Sequence, residues 1–393
     1  MFLHIDCNSY FASCEVATRP GLEGKPVVVA NETENGGGVI LALTAEAKAL
    51  GLKRGTPLFQ VRNLIKMNNV VICPVDHKKY RRISRQIMEN VQRQEIVQDF
   101  VQYSVDEFFG TLPTDQPDEL RHYATLVKEM IATSTGIPVS CGLSQTYTLA
   151  KVATHYAKHY KGYNGVCVLM PESRLRALSL LDIADVWGIG RQSRAKLYGM
   201  GIHTAQQLVE CDEKVLSRIF SAAGLNTWRE LQGTPCIDLH RPAKQRSIMQ
   251  SRTFVYMTDD IKTLEQDIRT YAAACAVKLR EQHSVCRTVQ VFLSTNRHRE
   301  DLAQYRNSVG IHLPSPTADT PTIVKAATAG LHSLYKVGFL YKQAGVILTN
   351  ITEEEGMQLD LFSEPEDQRH RKLMQITDAL NKKFGDDTIN FGL

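Results

Sequence analysis

A multidomain α+β architecture follows from three features of the sequence. The 393 residues exceed what one hydrophobic core usually serves, and suit two to four domains. Short apolar runs at 2–5 (FLHI), 26–30 (PVVVA) and 70–74 (VVICP) have strand length, and amphipathic stretches at 80–94 and 120–133 have helical period. A polar, basic segment at 240–247 (HRPAKQRS) then precedes a second set of strand and helix patterns.

Taken in order, residues 2–5 form a buried strand that ends in Asp6. Strands are expected at 26–30 and 39–43 around an NGGG turn at 35–38, then a short helix at 45–50 stopped by Gly51. Residues 101–109 (VQYSVDEFF) read as one strand carrying two adjacent acids. A strand at 138–143 and a helix at 148–159 complete the first α+β unit. Residues 170–235 are mostly helical, and residues 248–351 alternate strands with helices near 262–282 and 322–337. Beyond Thr352 the chain is acidic and polar and reads as a tail.

Composition excludes several classes. The net charge of +4 is too small to mark a nucleic-acid binder by itself. Nine scattered cysteines contain no CxxC pair and suit reduced thiols in a cytoplasm. No signal peptide and no run of membrane-spanning length is seen, so a cytoplasmic protein is expected.

Asp6 follows one apolar strand and Asp106–Glu107 lie in another. Three acids brought together repel unless cations intervene, and hard divalent cations prefer carboxylate oxygens. Two such ions can clamp the attacking and leaving oxygens of a phosphoryl transfer. The spacing alone is met more often among solvated surface acids.

Ordered motifs supply the context. Ile5-Asp6-Cys7-Asn8-Ser9-Tyr10-Phe11 resembles the first motif of Y-family DNA polymerases, and Ser104-Val105-Asp106-Glu107 resembles their S-x-D-E motif. Thr44–Gly51, Gly142–Ser144 with Leu149-Ala150-Lys151, and Val186-Trp187-Gly188-Ile189-Gly190 match further motifs in the right order, nearest to the UmuC-type branch. The resemblance implies a right hand: palm 1–10 and 78–165, fingers 11–77, helical thumb 166–238, α+β little finger 245–350 and an acidic tail 351–393. It implies an error-prone translesion polymerase that adds deoxynucleotides to a primer 3′ end in the SOS response to DNA damage.

It also implies residue roles. Asp6, Asp106, Glu107 and the Cys7 backbone carbonyl would hold two Mg²⁺ ions, with Mn²⁺ able to substitute. Tyr10, Phe11 (as steric gate), Lys48 and Lys151 would meet the incoming nucleotide. Ala45 and Tyr147 depart from the family pattern, which often has Tyr and Lys there. Implied partners are primer-template DNA, deoxynucleoside triphosphates, a UmuD′-type dimer and a RecA filament.

Three further segments carry physical signals. Gly188 and Gly190, with Lys196 following, suit a helix-hairpin-helix turn whose N–H groups approach a phosphate. From His240 to Lys342 there are 15 Lys+Arg against 8 Asp+Glu, with Arg246 and Arg252 as DNA-contact candidates. Gln358, Leu359, Leu361 and Phe362 form an apolar-anchored peptide among acids, resembling a sliding-clamp-binding motif. Two rival readings remain: a non-catalytic primer- and clamp-binding accessory protein, and a metal-dependent nuclease or cyclase.

Overall fold

The computed structural model describes residues 1–31, 38–240, 244–354, 368–385 and 388–389. The chain divides into two compact units, Met1–Pro242 and Ala243–Leu393.

The first unit is organised around a five-stranded sheet of order β5-β6-β1-β7-β8. Its strands are β1 (Phe2–Cys7), β5 (Gln98–Gln102), β6 (Glu107–Thr111), β7 (Val139–Ser144) and β8 (Val166–Val168). Strand β1 is central and antiparallel to both neighbours, pairing Asp6 with Glu107 on β6 and with Ser140 on β7. Alternation along β1 sends Leu3, Ile5 and Cys7 into the core with α4 (His77–Arg93) and α5 (Pro117–Thr135). His4 and Asp6 therefore face the other side, where α6 (Tyr147–His159) packs. Gly142 of β7 makes that packing very close, because a Cβ there would lie 2.2 Å from the Thr154 amide nitrogen.

The expected strand over residues 101–109 is instead a hairpin, β5 and β6. Ser104 explains the break: its Oγ accepts from the Asp106 and Glu107 amides, and the Tyr103 and Ser104 amides both donate to the Glu107 carbonyl. The acid pair is thus delivered at a turn, where two side chains can leave the sheet end together.

A smaller sheet of order β3-β2-β4 uses β2 (Val27–Ala30), β3 (Ile40–Leu43) and β4 (Val71–Pro74). It packs with α1 (Tyr10–Thr18), α2 (Ala45–Ala49) and α3 (Leu58–Met67). The NGGG turn lies outside the described residues apart from Gly38. Helices α7 (Pro171–Leu180), α8 (Arg191–Gly199), α9 (Ala205–Val209), α10 (Glu213–Leu216) and α11 (Ala222–Leu231) form a third cluster whose core includes Leu149, Val152 and Tyr156 of α6.

The second unit is a four-stranded sheet, β11-β10-β12-β9. It comprises β9 (Ile248–Thr258), β10 (Ser284–Thr295), β11 (Arg306–Thr317) and β12 (Tyr341–Glu353), with α12 (Ile261–Glu281) and α13 (Thr320–Leu334) on one face. The rung Ser308–Phe292–Gly345–Ser251 crosses the opposite face. Gly345 has no side chain because the Phe292 ring lies over it: a Cβ would approach that ring to 2.5 Å.

The segment expected to be a tail contains a helix, α14 (Gln368–Phe384). It buries Met374 and Thr377, and Asp378 takes two 2.7 Å hydrogen bonds from Arg280 of α12. The acids before it concealed it: residues 353–367 carry seven Asp+Glu, whereas the helix itself is basic.

Candidate active site

The site gathers where β1 ends and β6 begins. Asp6 and Glu107 are cross-strand partners, so their side chains leave the same face a few ångströms apart. The Cys7 amide donates to the Asp106 carbonyl at 2.9 Å, fixing the turn against β1. Asp106 Oδ1 accepts from Ser104 Oγ at 2.6 Å.

Two lysines of α6 answer the outer acids. Lys151 Nζ lies 2.6 Å from Glu107 Oε1, and Lys158 Nζ lies 2.6 Å from Asp6 Oδ1. They stand two turns apart on the helix, so both project toward the strand ends. Burial would raise the Glu107 carboxyl, but the His4 imidazole beside it and the hydrogen bond and charge of Lys151 bring it down to about 2. His4 is buried beneath this acid, with Nδ1 2.9 Å from Thr154 Oγ1 and Nε2 at a longer 3.4 Å from Glu107 Oε1. Burial lowers its pKa more than Glu107 raises it, so its imidazole is neutral at pH 7.

Lys48, on α2, reaches Ser9 Oγ at 2.8 Å and so joins the same neighbourhood. Burial lowers its pKa, the Lys158 charge lowers it further, and Asp6 opposes both. Three ammonium groups thus surround the acids. Asp6 Oδ2, Asp106 Oδ2 and Glu107 Oε2 accept no hydrogen bond among the described residues.

Asp6 and Glu107 each hold an ammonium group, and Asp106 holds the Ser104 hydroxyl. Among the described residues no three His, Cys, Asp or Glu side chains converge as a ready-made metal cluster. The donor set nevertheless suits hard divalent cations, being three carboxylates with open oxygens at adjoining strand ends.

Other expected residues fall as follows. Phe11 stacks on Tyr80, centroids 4.4 Å apart, with His77 edge-on at 5.8 Å, and is only partly buried. Tyr10 is 3% exposed, and its hydroxyl donates to the Tyr80 carbonyl at 2.7 Å. It braces the Tyr80–Phe11 stack from within the core. Tyr147 is buried against Phe2 and Phe109. Gly188 has φ 82°, and Gly190 caps α8, with Lys196 exposed in its last turn. Arg246 is exposed just before β9. Arg252 pairs with buried Ala344, so it lies on the helix-bearing face. There burial raises the Asp267 carboxyl, while a hydrogen bond to Tyr271 and the Arg252 charge pull it back. Gln358, Leu359, Leu361 and Phe362 lie outside the described residues.

Lys158 and His4 were not anticipated. The signal for Lys158 was its two-turn spacing from Lys151; that for His4 was a polar residue inside an apolar strand.

Comparison with known proteins places the chain in a family. The impB/mucB/samB family profile matches residues 5–155, and that family's C-terminal domain matches residues 245–361. The chain is 35% identical to Protein UmuC of Salmonella typhimurium over 397 residues, covering 100% of this chain and 93% of UmuC. It is 28% identical to DNA polymerase IV 1 of Bacillus subtilis, covering 100% of this chain and 92% of that protein. Its fold matches a Y-family DNA polymerase chimera of Dbh and Dpo4 with TM-score 0.70 and 21% identity, over 90% of this chain and 99% of the other. Among the described residues no helix is long and apolar enough to cross a membrane. The chain belongs to the impB/mucB/samB family, and is a translesion DNA polymerase of the Y-family's UmuC-type branch.

Proposed function

We propose that the reaction is attack of a primer 3′-oxygen on the α-phosphorus of a deoxynucleoside triphosphate, forming a phosphodiester and releasing pyrophosphate. The observation that carries this reading is the cross-strand pair Asp6–Glu107 with Asp106 in the adjoining turn, ringed by ammonium groups. Asp6, Asp106, Glu107 and the Cys7 carbonyl would hold two Mg²⁺ ions, which when bound supply Lewis-acid stabilisation of both reacting oxygens. Lys48 and Lys158 bind and orient the triphosphate, whose developing negative charge needs cations beyond the metals. Among the described residues Lys158 is held by one exposed ion pair, and it is free to exchange Asp6 for a phosphate. Phe11 lies under the sugar as steric gate, held flat by Tyr80 and backed by Tyr10.

The same reading divides the first unit into palm (1–10 and 78–165), fingers (11–77) and thumb (166–238). Gly188, Gly190 and Lys196 give the thumb a sequence-independent phosphate contact. The little finger (245–350) grips DNA through Arg246 and exposed hydroxyl and amide groups of its open sheet face. Arg252 contributes only long-range charge, given the face it occupies. A sliding clamp meeting Leu361 and Phe362, a UmuD′-type dimer, a RecA filament and a place in the cytoplasmic SOS response complete the proposal. Primer extension by the purified protein, with Mg²⁺ or Mn²⁺ and then with chelator, is the test. Metal-dependent growth of the primer is expected; primer degradation indicates the nuclease, and binding without growth the accessory protein.

A further inference from the structure

Lys151 is enclosed rather than extended. Its ammonium holds Glu107 and lies 4.9 Å from the ring centres of both Tyr103 and Trp187, and 5.8 Å from that of Phe109. The rings brace one another: Tyr103 meets Trp187 edge-on at 5.5 Å and Phe109 at 5.7 Å. Only 14% of the lysine side chain is exposed. An ammonium over an aromatic face is attracted by the ring quadrupole, so three faces and a carboxylate together hold this lysine against the freedom of a surface one. Tyr103 and Phe109 come from the hairpin that delivers Glu107. Trp187 comes from the segment that turns at Gly188 before α8.

We propose that Tyr103, Phe109 and Trp187 form an aromatic seat that fixes Lys151 on Glu107. Trp187 is thereby a positioning residue for a catalytic carboxylate, and the phosphate-binding turn beginning at Gly188 is mechanically joined to the acid site. Lys151 on this reading is a fixed counter-charge, and the triphosphate is left to Lys48 and Lys158. The kinetic arm of the test rests on the polymerase reading; the spectroscopic arm does not.

The chain has two tryptophans, so Trp228→Phe leaves Trp187 as the sole emitter. In that background Lys151→Met is expected to change the intensity and wavelength of Trp187 emission; an unchanged spectrum overturns the seat. In single-nucleotide insertion, Trp187→Leu is expected to lower kcat about tenfold while the nucleotide KM moves less than about threefold. Trp187→Phe, which keeps a ring face, should restore most of the rate. A raised KM with kcat kept would put Lys151 on the triphosphate and overturn the proposal, as would equal defects in the Phe and Leu variants. If Trp187→Leu fails to fold, Tyr103→Leu carries the same kinetic test, because Tyr103 is 44% exposed and outside the core.

Discussion

Two regions of the first unit hold carboxylates out of bulk water, and they treat them in opposite ways. At the joint between α1 and α4, Glu15 is 0% exposed. It takes both oxygens' worth of hydrogen bonds: Lys79 Nζ at 2.8 Å to each, and the Tyr80 hydroxyl at 2.8 Å. Glu230 of α11 is saturated likewise, accepting from the Thr148 amide and hydroxyl and from the Ile237 amide. At the strand ends, Asp6 and Glu107 are each about one-fifth exposed and hold a lysine on one oxygen only. A saturated buried acid can only fix geometry, because any new ligand must break a bond already made. An unsaturated acid with an ammonium partner can accept another cation. Saturation, more than burial or residue type, separates the structural from the chemical carboxylates here.

The contrast can be broken at its strongest point first. Asp106→Asn keeps the size of the side chain and removes its charge. Primer extension should fall at least about 10³-fold, on the order of 4 kcal/mol, while primer-template binding persists. Extension within tenfold of wild type would move Asp106 out of the chemistry. At the saturated end, Glu15→Ala leaves the Lys79 ammonium and the Tyr80 hydroxyl without their partner. Urea unfolding should show a loss of about 3 kcal/mol, whereas the residual folded protein still extends primers. If the midpoint is unmoved and extension is lost instead, Glu15 belongs with the chemical group.

Smaller effects sharpen the picture. Phe11→Ala removes the ring that stacks on Tyr80, opening space beneath the sugar. The ratio of ribonucleotide to deoxynucleotide insertion efficiency should rise about tenfold, since an unpaired buried hydroxyl and a clash cost about 1–3 kcal/mol. An unchanged ratio would leave Phe11 as packing for α4. The smallest effect concerns thiols. Cys236 is exposed and Cys211 half-buried, while the other cysteines are buried. Burial pushes the Cys14, Cys141 and Cys286 thiols up to about 12. At pH 8 a disulfide reagent should therefore titrate Cys236 rapidly and Cys211 slowly, with the remainder appearing only on unfolding.

Much of this was legible in the sequence, for physical reasons that differ by residue. Asp6 and the 106–107 acids stood out because apolar strands seldom end in acids without cause. Strands β1, β2, β3, β4 and β7 and the long helices α4, α5 and α6 followed from periodicity, whereas the short edge strand β8 did not. The break between β5 and β6 did not, because one Ser104 hydroxyl overrides an otherwise strand-like pattern. Tyr10 and Phe11 look alike in sequence, yet a helix separates neighbours by about 100°, sending one inward and leaving the other beside the site. Lys158 was hidden because a lysine on a helix normally signals solvent. Arg252 shows what charge counting leaves out: which face of an edge strand a residue takes. Helix α14 was missed because its neighbours' acidity masked a narrow apolar stripe.

The close approach at Gly142 has a consequence for how this enzyme can change. The Thr154 amide and the Ala150 carbonyl already occupy the space where any side chain would begin. Helix α6 consequently has no clearance to slide or roll, and its two lysines keep a fixed pitch against the strand ends, as teeth do on an indexed wheel. Every non-glycine residue at 142 would lift the wheel and withdraw both charges at once. Efforts to adapt the polymerase to unusual nucleotides therefore have their adjustable parts in the side chains that α6 carries. The setting of the helix itself is closed to gradual revision.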